Sequence, residues 1–256
     1  MYEWEILLDN PSSRATRFLQ EFIRHRPKQS VVSSYYRGQA KNLMVYGPGS
    51  IQRKSYILRH LRRGHVAMWD LGYWNRETGM RLSIDSMHPT ADQLARSPTQ
   101  GRRGFKLRED ADPNGPIVLI GLGRKSVPAY DLKPFEWERR ADRMIKENFP
   151  DREVIWRPKG QAIPFNGYRM DSESRIADLL KGASLVVCRH SNVAVDACIA
   201  GVPVICDDGA AFSLYRSNTS PTPEQRMDFL QRLSWWEWDR TEAGAAWEFI
   251  QEMCSG

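Results

Sequence analysis

The chain has 256 residues, 41% of them hydrophobic, and a formal net charge of +6. That length fits one large or two small lobes around a real apolar core. No window approaches the roughly 18–20 apolar residues of a membrane span, and the N-terminal MYEWEILLDN lacks the basic-then-apolar order of a secretory signal, so a cytoplasmic protein is the expectation.

The four cysteines, Cys188, Cys198, Cys206 and Cys254, form no CxxC pair. Three lie in apolar stretches, where a free thiol behaves as a small hydrophobe, so reduced structural cysteines are expected rather than a zinc site or a disulfide framework. Positive charge is clustered, first at Arg14, Arg17, Arg24, Arg26 and Lys28, then at Arg53, Lys54, Arg59, Arg62 and Arg63, and again at Arg102, Arg103, Lys106 and Arg108. Such clusters suit polyanions such as DNA or nucleotide phosphates, and a solvated basic surface gives the same pattern.

In chain order, residues 11–26 predict a helix with Phe18 and Ile23 among charges. NLMVY at 42–46 reads as a short buried strand running into Gly47-Pro48-Gly49-Ser50, a turn able to open a helix. A helix over 51–63 and a strand at 65–70 (HVAMWD) complete a strand–helix–strand unit and predict a parallel sheet. Residues 89–115 are rich in Pro, Gly, Arg and Asp and read as a long loop or interdomain linker. The pattern restarts with PIVLIG at 116–121. A helix over 134–148, a strand at 153–157, a helix over 173–181, a strand at 184–188, a helix over 191–200 and a strand at 202–206 then predict a second doubly wound sheet. Helices over 222–233 and 241–253 close the chain, the latter with Trp247, Ile250 and Met253 at helical spacing. The expected organisation is α/β, with two doubly wound, Rossmann-like lobes at residues 1–112 and 113–256.

The stretch that carries chemistry is SLVVCRHSNVAVDACIAGVPVICDD, Ser184 to Asp208. A buried strand ends at Cys188, a polar elbow Arg189-His190-Ser191-Asn192 follows, and a helix begins with Ser191 or Asn192 suited to cap it. Free N–H groups and the helix dipole at such an end bind phosphate, and ligands of open α/β sheets sit beyond the carboxyl ends of strands. Asp196, one turn in, is placed to accept hydrogen bonds from ribose hydroxyls. Gly201 fits a C-cap. An ordinary strand–helix–strand unit with a polar loop shares most of these features.

The segment resembles the donor-binding unit of GT-B glycosyltransferases, in which a strand and a Ser- or His-containing turn lead into a helix reading roughly S-x-x-x-x-E-A-x-x-x-G-x-P-V-I. Here the matching residues are Ser191, Asp196-Ala197, Gly201 and Pro203-Val204-Ile205, with Asp196 in place of the family's glutamate. The resemblance covers about 25 residues closely and the C-terminal half weakly. It implies a GT-B-like fold and a nucleotide-sugar donor of the UDP-sugar type. Asp207-Asp208 follows the strand 202–206 but on this reading lies on the donor lobe's edge, and no other DxD-like pair follows a strand, so no metal is expected, with charge met by Arg, Lys and the helix N-terminus. The resemblance also implies donor contacts at His190, Ser191, Asn192 and Asp196. The turn Gly121-Leu122-Gly123-Arg124 matches the Gly-rich turn after the first strand of such a lobe. The segment EVIWRPKGQ resembles the strand–R-x-H-P segment of capsule-type and sialyl-type relatives. Arg157 and Pro158 match there, and Lys159 stands in for the histidine's charge. In GT-B folds the last helix often crosses back to the N-terminal lobe, and Trp235, Trp236, Trp238 and Trp247 fit that packing better than base stacking.

An inverting transferase needs a base for the acceptor hydroxyl, expected from the N-terminal lobe. The candidates are Asp70, Asp85 and His88, all strand-end polar groups. His88 is favoured because imidazole titrates near neutral pH, although Asp at such ends is commonly a turn or cap residue. One acceptor consistent with the basic clusters is a hydroxymethylated base in DNA, as in phage DNA glucosyltransferases. It would have to be flipped out of the duplex. The alternatives are a surface- or capsule-polysaccharide acceptor, and a non-catalytic nucleotide- or nucleic-acid-binding protein.

Overall fold

The structure is a computed structural model that describes residues 2–8, 13–47, 51–124, 126–160 and 162–255. Pro48, Gly49, Ser50 and Lys125 lie outside the described residues, as does the Arg14 side chain. The strands are β1 (Tyr2–Leu7), β2 (Ser30–Ser33), β3 (Ala40–Tyr46), β4 (Val66–Leu71), β5 (Met80–Ile84), β6 (Ile117–Ile120), β7 (Val154–Arg157), β8 (Arg169–Met170), β9 (Leu185–Cys188), β10 (Val204–Cys206) and β11 (Glu237–Trp238). The helices are α1 (Ser13–Arg24), α2 (Ile51–His60), α3 (Ala91–Arg96), α4 (Ser126–Ala129), α5 (Glu136–Asn148), α6 (Ile176–Leu179), α7 (Val193–Ala200), α8 (Phe212–Tyr215), α9 (Pro223–Leu233) and α10 (Ala243–Cys254). Two compact units result, Met1–Ser97 with Leu233–Gly256, and Pro98–Arg232.

In the first unit the sheet order is β11-β5-β4-β3-β1-β2. Neighbours among β1 to β4 are parallel, while β5 runs antiparallel to β4 and β11 antiparallel to β5. From β1 the chain steps outward to β2, and from β3 it steps the other way to β4. Right-handed crossovers therefore put α1 and α2 on opposite faces. The packing agrees. Trp69 of β4 meets Phe18 and Phe22 of α1, and Trp4 of β1 meets Trp247 of α10 edge-on at 5.3 Å. On the other face Leu7, Leu43, Val45, Val66 and Met68 pack against Tyr56 and Ile57 of α2.

The tail tryptophans are core, as their spacing suggests. Trp236, Trp238 and Trp247 are buried. Trp236 Nε1 donates to Ser97 Oγ at 2.8 Å and Trp247 Nε1 to the Phe22 carbonyl at 2.8 Å. Aromatic pairs in such geometry add about 0.5–1.5 kcal/mol beyond their buried area.

The second unit has the parallel order β10-β9-β6-β7-β8. Trp137 and Ile145 of α5 pack on Ile117, Leu119, Trp156, Leu185 and Val187. Residues 108–112, read from sequence as linker, are stitched into this unit. Arg108 N–H donates to the Ile199 carbonyl at 2.8 Å, Asp110 N–H to that of Ala200 at 2.7 Å, and Gly182 N–H to that of Asp110 at 2.9 Å. Buried Arg226 of α9 donates to the carbonyls of Arg108 and Cys198 and pairs with Glu109. The division thus falls after Ser97 rather than near 112, because these backbone bonds tie an aperiodic stretch to α7. Within the same stretch α3 forms behind a capping box, Thr90 with Gln93. Among the described residues no helix is long and apolar enough to cross a membrane.

Candidate functional site

From β6 the chain moves through α4 and α5 to β7 and β8 on one side, then returns to β9 and β10 on the other. The loops leaving β6 and β9 therefore diverge, which makes the crevice between their carboxyl ends the topological switch point of the sheet. The loop after β6 holds Gly121, Gly123 and Arg124, and that after β9 holds Arg189, His190, Ser191 and Asn192. Gly121 has no room for a side chain, since a Cβ would lie 2.5 Å from the Trp156 ring. The Lys159 stem lies against Gly123, with Cδ 3.4 Å from where a Cβ would be. The lysine after β7 thus reaches the end of β6.

At the start of α7, Ser191 rather than Asn192 supplies the side-chain cap. Its Oγ accepts from Val193 N–H at 3.3 Å, its carbonyl accepts from Ala194 N–H at 3.0 Å, and Asn192 makes no side-chain cap bond. Asp196 lies half-buried in the first turn. Gly201 ends the helix at φ 75°, with its N–H on the Ala197 carbonyl, as its pattern predicts. Cys188 at the end of β9 is fully buried, and burial pushes its thiol up to about 12, so it offers no thiolate nucleophile.

Sequence reasoning passed over the rim of this crevice. The Arg189 guanidinium lies 4.1 Å over the Tyr130 ring, and its Nη1 is 3.6 Å from Asp207 Oδ2. Among the described residues its buried Nε has no hydrogen-bond partner. Tyr130 Oη donates to Asp208 Oδ2 at 2.7 Å, Trp137 Nε1 donates to Asp207 Oδ2 at 2.6 Å, and the His190 ring centroid is 5.0 Å from that of Tyr130. The Glu138 carboxylate is 3% exposed. Its Oε1 accepts from Leu122 N–H at 2.8 Å, while Oε2 has no partner among the described residues. A basic residue directly after a buried strand was the signal available for Arg189. Nothing in the spacing marks Tyr130 or Glu138.

Arg157 reaches the same strand edge but is turned to a neighbouring loop. Nη1 donates to Asp171 Oδ1 at 2.9 Å and to the Asp171 carbonyl at 3.0 Å, and Nη2 donates to the Ser174 carbonyl at 2.9 Å. Burial alone would raise the Asp171 carboxyl. Hydrogen bonds from Ser174 and Glu173, with the Arg157 charge, hold it below the ordinary carboxylate value.

In the first unit, topology separates the three base candidates. Asp70 lies at the carboxyl end of β4, opposite Arg81 of the antiparallel β5. Asp85 follows the far end of β5 and so lies at the opposite edge of the sheet. There, at φ 59°, its carboxylate accepts from Val66 N–H at 2.7 Å and meets His65 Nδ1 at 2.6 Å. It is a turn residue that ties β5 to the start of β4. Asp70 is one-third exposed at its side chain and accepts from Arg81 Nη2 at 2.8 Å. His88 is buried, and its Nδ1 faces Arg81 Nη1. A guanidinium only donates, so that ring nitrogen accepts and carries no proton. The loop after Asp70 is fixed from the tail. Fully buried Glu237 of β11 accepts from the N–H groups of Tyr73, Trp74 and Asn75 at 2.5, 3.1 and 3.0 Å. A Cβ on Gly72 or Gly79 would collide with that carboxylate, at 2.9 and 2.5 Å.

No family model and no curated protein sequence matches the chain. Solved structures do match in fold. The beta Kdo 2,7 transferase of Thermosulfurimonas dismutans KpsC aligns with a TM-score of 0.53 over 97% of this chain and 99% of that one, at 13% identity. The beta Kdo 2,4 transferase of the same protein aligns at 0.51 over 90% and 91%, at 10% identity. At such identity the likeness speaks for architecture, and this chain has the α/β fold of two parallel-rich sheets found in these GT-B-like neighbours.

Proposed function

We propose that the chain is a glycosyltransferase that moves a sugar from a nucleotide-sugar donor to a hydroxyl acceptor, with the donor held at the switch point of the second unit. The observation that carries this reading is the convergence there of the Gly121–Gly123 loop, the Lys159 stem, the capped start of α7 and Arg189 with its unpartnered Nε. Glycosyl transfer breaks a sugar–phosphate bond and leaves negative charge on the departing nucleotide. In a water-poor crevice, fixed cations and N–H dipoles lower the barrier for that step. In this reading Arg189 meets the leaving phosphate, assisted by Lys159 and the first N–H groups of α7, and Asp196 holds the ribose. His190, Asn192 and Arg124 border the donor. Arg157 acts on the site indirectly, by holding the 171–174 loop.

For the acceptor proton, Asp70 is the base we favour over His88 and Asp85. It lies at the carboxyl edge of its sheet, whereas Asp85 lies at the opposite edge bound to His65 and Val66, and His88 is buried against Arg81. The acceptor class we favour is a surface glycan. Its support is the naming of both structural neighbours as Kdo transferases, together with a basic surface split between opposite faces of the first sheet, which suits duplex DNA poorly. A hydroxymethylated base in DNA is the second reading, carried by the basic clusters alone.

The test is calorimetry of the intact chain with UDP- and CMP-linked sugars, followed by mass spectrometry of transfer to oligosaccharide and to hydroxymethylated duplex DNA. Donor binding lost in Arg189→Ala and Asp196→Ala, with sugar transferred to glycan, is the expected result. A chain that neither binds nor cleaves any nucleotide sugar overturns the reading.

A further inference from the structure

Between Glu21 and Asp70 the sequence contains ten Lys or Arg and no Asp or Glu. The fold distributes these charges unevenly. Those of α1 fall on one face of the first sheet, where Arg24 pairs with Glu21 at 2.8 Å. On α2, Arg53 is buried and donates to the Tyr46 carbonyl. That leaves Lys54, Arg59 and Arg62 on the outer side of α2. Among the described residues Arg59 and Arg62 are exposed and have no acidic partner.

Lys54 and Leu58 lie one turn apart on α2, with Ser55 and Arg59 beside them, and Arg62 follows in the turn after the helix. Together the five line an open recess of about 400 Å³. Leu58 stands in the middle of these cations, 53% exposed. Arg63 Nη1 donates to the Gly38 carbonyl at 2.5 Å, which ties the loop after β2 to the same helix end. That loop adds Tyr35, 61% exposed, with the Arg37 guanidinium 5.0 Å over its ring.

We propose that the outer face of α2, with the Tyr35–Arg37 loop, docks on an anionic phospholipid bilayer. Lys54, Arg59 and Arg62 would meet lipid phosphates while Leu58 and Tyr35 enter the headgroup boundary. The combination decides the partner. Exposed cations such as Arg59 and Arg62 attract any polyanion, but a leucine projecting beside them loses nothing only where its surroundings are partly apolar. An interfacial tyrosine suits the same depth. The patch is one-sided, which matches a flat surface better than a duplex that a protein partly encircles. Attachment is peripheral, since no described helix is long enough to span. This inference does not depend on what the second unit binds.

The test is co-sedimentation of the full chain with vesicles of phosphatidylcholine alone and of phosphatidylcholine mixed with phosphatidylglycerol, at low and high salt, beside binding to mixed-sequence duplex DNA. Binding to the anionic vesicles only, weakened by salt, is expected. Arg59→Ala and Arg62→Ala should each cost about fivefold in partitioning, and Leu58→Ser should weaken vesicle binding while leaving any DNA binding alone. Arg24→Ala on the opposite face should change nothing. All four positions are exposed, and circular dichroism checks that each variant folds. Vesicle binding that ignores Arg59 and Arg62, equal binding to neutral vesicles, or a Leu58→Ser variant that binds like the parent would each overturn the proposal. So would tighter binding to DNA than to anionic vesicles through the same arginines.

Discussion

The buried carboxylates of the two units are satisfied differently. In the first, Glu5 and Glu237 are both fully buried, and each carboxylate is closed by successive backbone N–H groups. Glu5 accepts from Arg37, Gly38 and Gln39, and also from Ser33 Oγ, while Glu237 accepts from Tyr73, Trp74 and Asn75. In the second unit, at the switch point, Glu138 has one oxygen bonded and the other without a partner among the described residues, and the buried Arg189 Nε likewise has none among them. A buried polar group without a partner is expensive, so natural structures keep few of them. Among these carboxylates, those whose bonds are closed hold loops in place, and the one left half-bonded lies beside the crevice.

The largest effect should come from breaking a closed carboxylate. Glu237→Ala strands three N–H groups, each costing about 1–3 kcal/mol when buried and unpaired. A loss of about 4 kcal/mol or more is expected in urea unfolding, with Glu237→Gln losing less because its amide oxygen still accepts. A loss under about 1 kcal/mol would dissolve the contrast between the units.

Next in size is Arg189. If its open Nε belongs to the site, Arg189→Ala should lower turnover of the donor by roughly 10²–10³-fold and leave the unfolding midpoint nearly unchanged. Arg157→Ala should do the reverse, costing about 1–3 kcal/mol of stability through the loosened 171–174 loop, with a smaller kinetic effect. Steady-state kinetics and denaturant titration on both variants separate the two roles.

A sharper form of the comparison concerns Glu138. Glu138→Gln keeps an acceptor for Leu122 N–H and removes a half-satisfied buried charge. It should be neutral or stabilise the fold by about 1 kcal/mol while lowering turnover, the trade expected of a residue kept for function. Differential scanning calorimetry beside an activity assay reads both.

The smallest effect is a pH dependence in the closed unit. His60 is fully buried, with Nε2 donating to the Lys41 carbonyl at 2.9 Å and Nδ1 accepting from Tyr36 Oη at 3.2 Å. Burial holds its pKa below the ordinary 6.5. Between that lower folded value and 6.5 the unfolded chain binds more protons, so stability is full above 6.5 and falls as the pH drops through the folded value. Thermal midpoints should show a shallow decline on acidification that His60→Asn removes.

Much of the second sheet was legible because its strands are continuous apolar runs such as PIVLIG and SLVVC, the pattern of strands buried on both faces. The first sheet was harder. In β1 the buried Glu5 interrupts the apolar run of YEWEIL, and it reads as polar until its partners, more than 25 residues away, are known. β11 is two residues long and has no periodicity to detect. The same limit applied to the site. Gly121, Gly123, Ser191, Asn192 and Asp196 of the proposed donor site come from one or two contiguous motifs, which is why spacing singles them out. The Arg189–Tyr130–Asp208 contacts and the pairing of Asp70 with Arg81 join segments separated in sequence, and only the sheet order brings them together. Sheet order also divides Asp70 from Asp85, which local sequence treats alike.

The crossing of the chain between units after Ser97 and again after Arg232 has a consequence for synthesis. The second unit is one uninterrupted segment and can close as soon as it has emerged. The first is not. Its open β5 edge, the cap over Trp4 and the anchor of the 73–75 loop are all supplied by residues 233–256. The first sheet to leave the ribosome is therefore the last to be finished. A chain stopped short of Leu233 would release an intact second unit beside an unfinished first one, with an exposed strand edge prone to pairing with other chains.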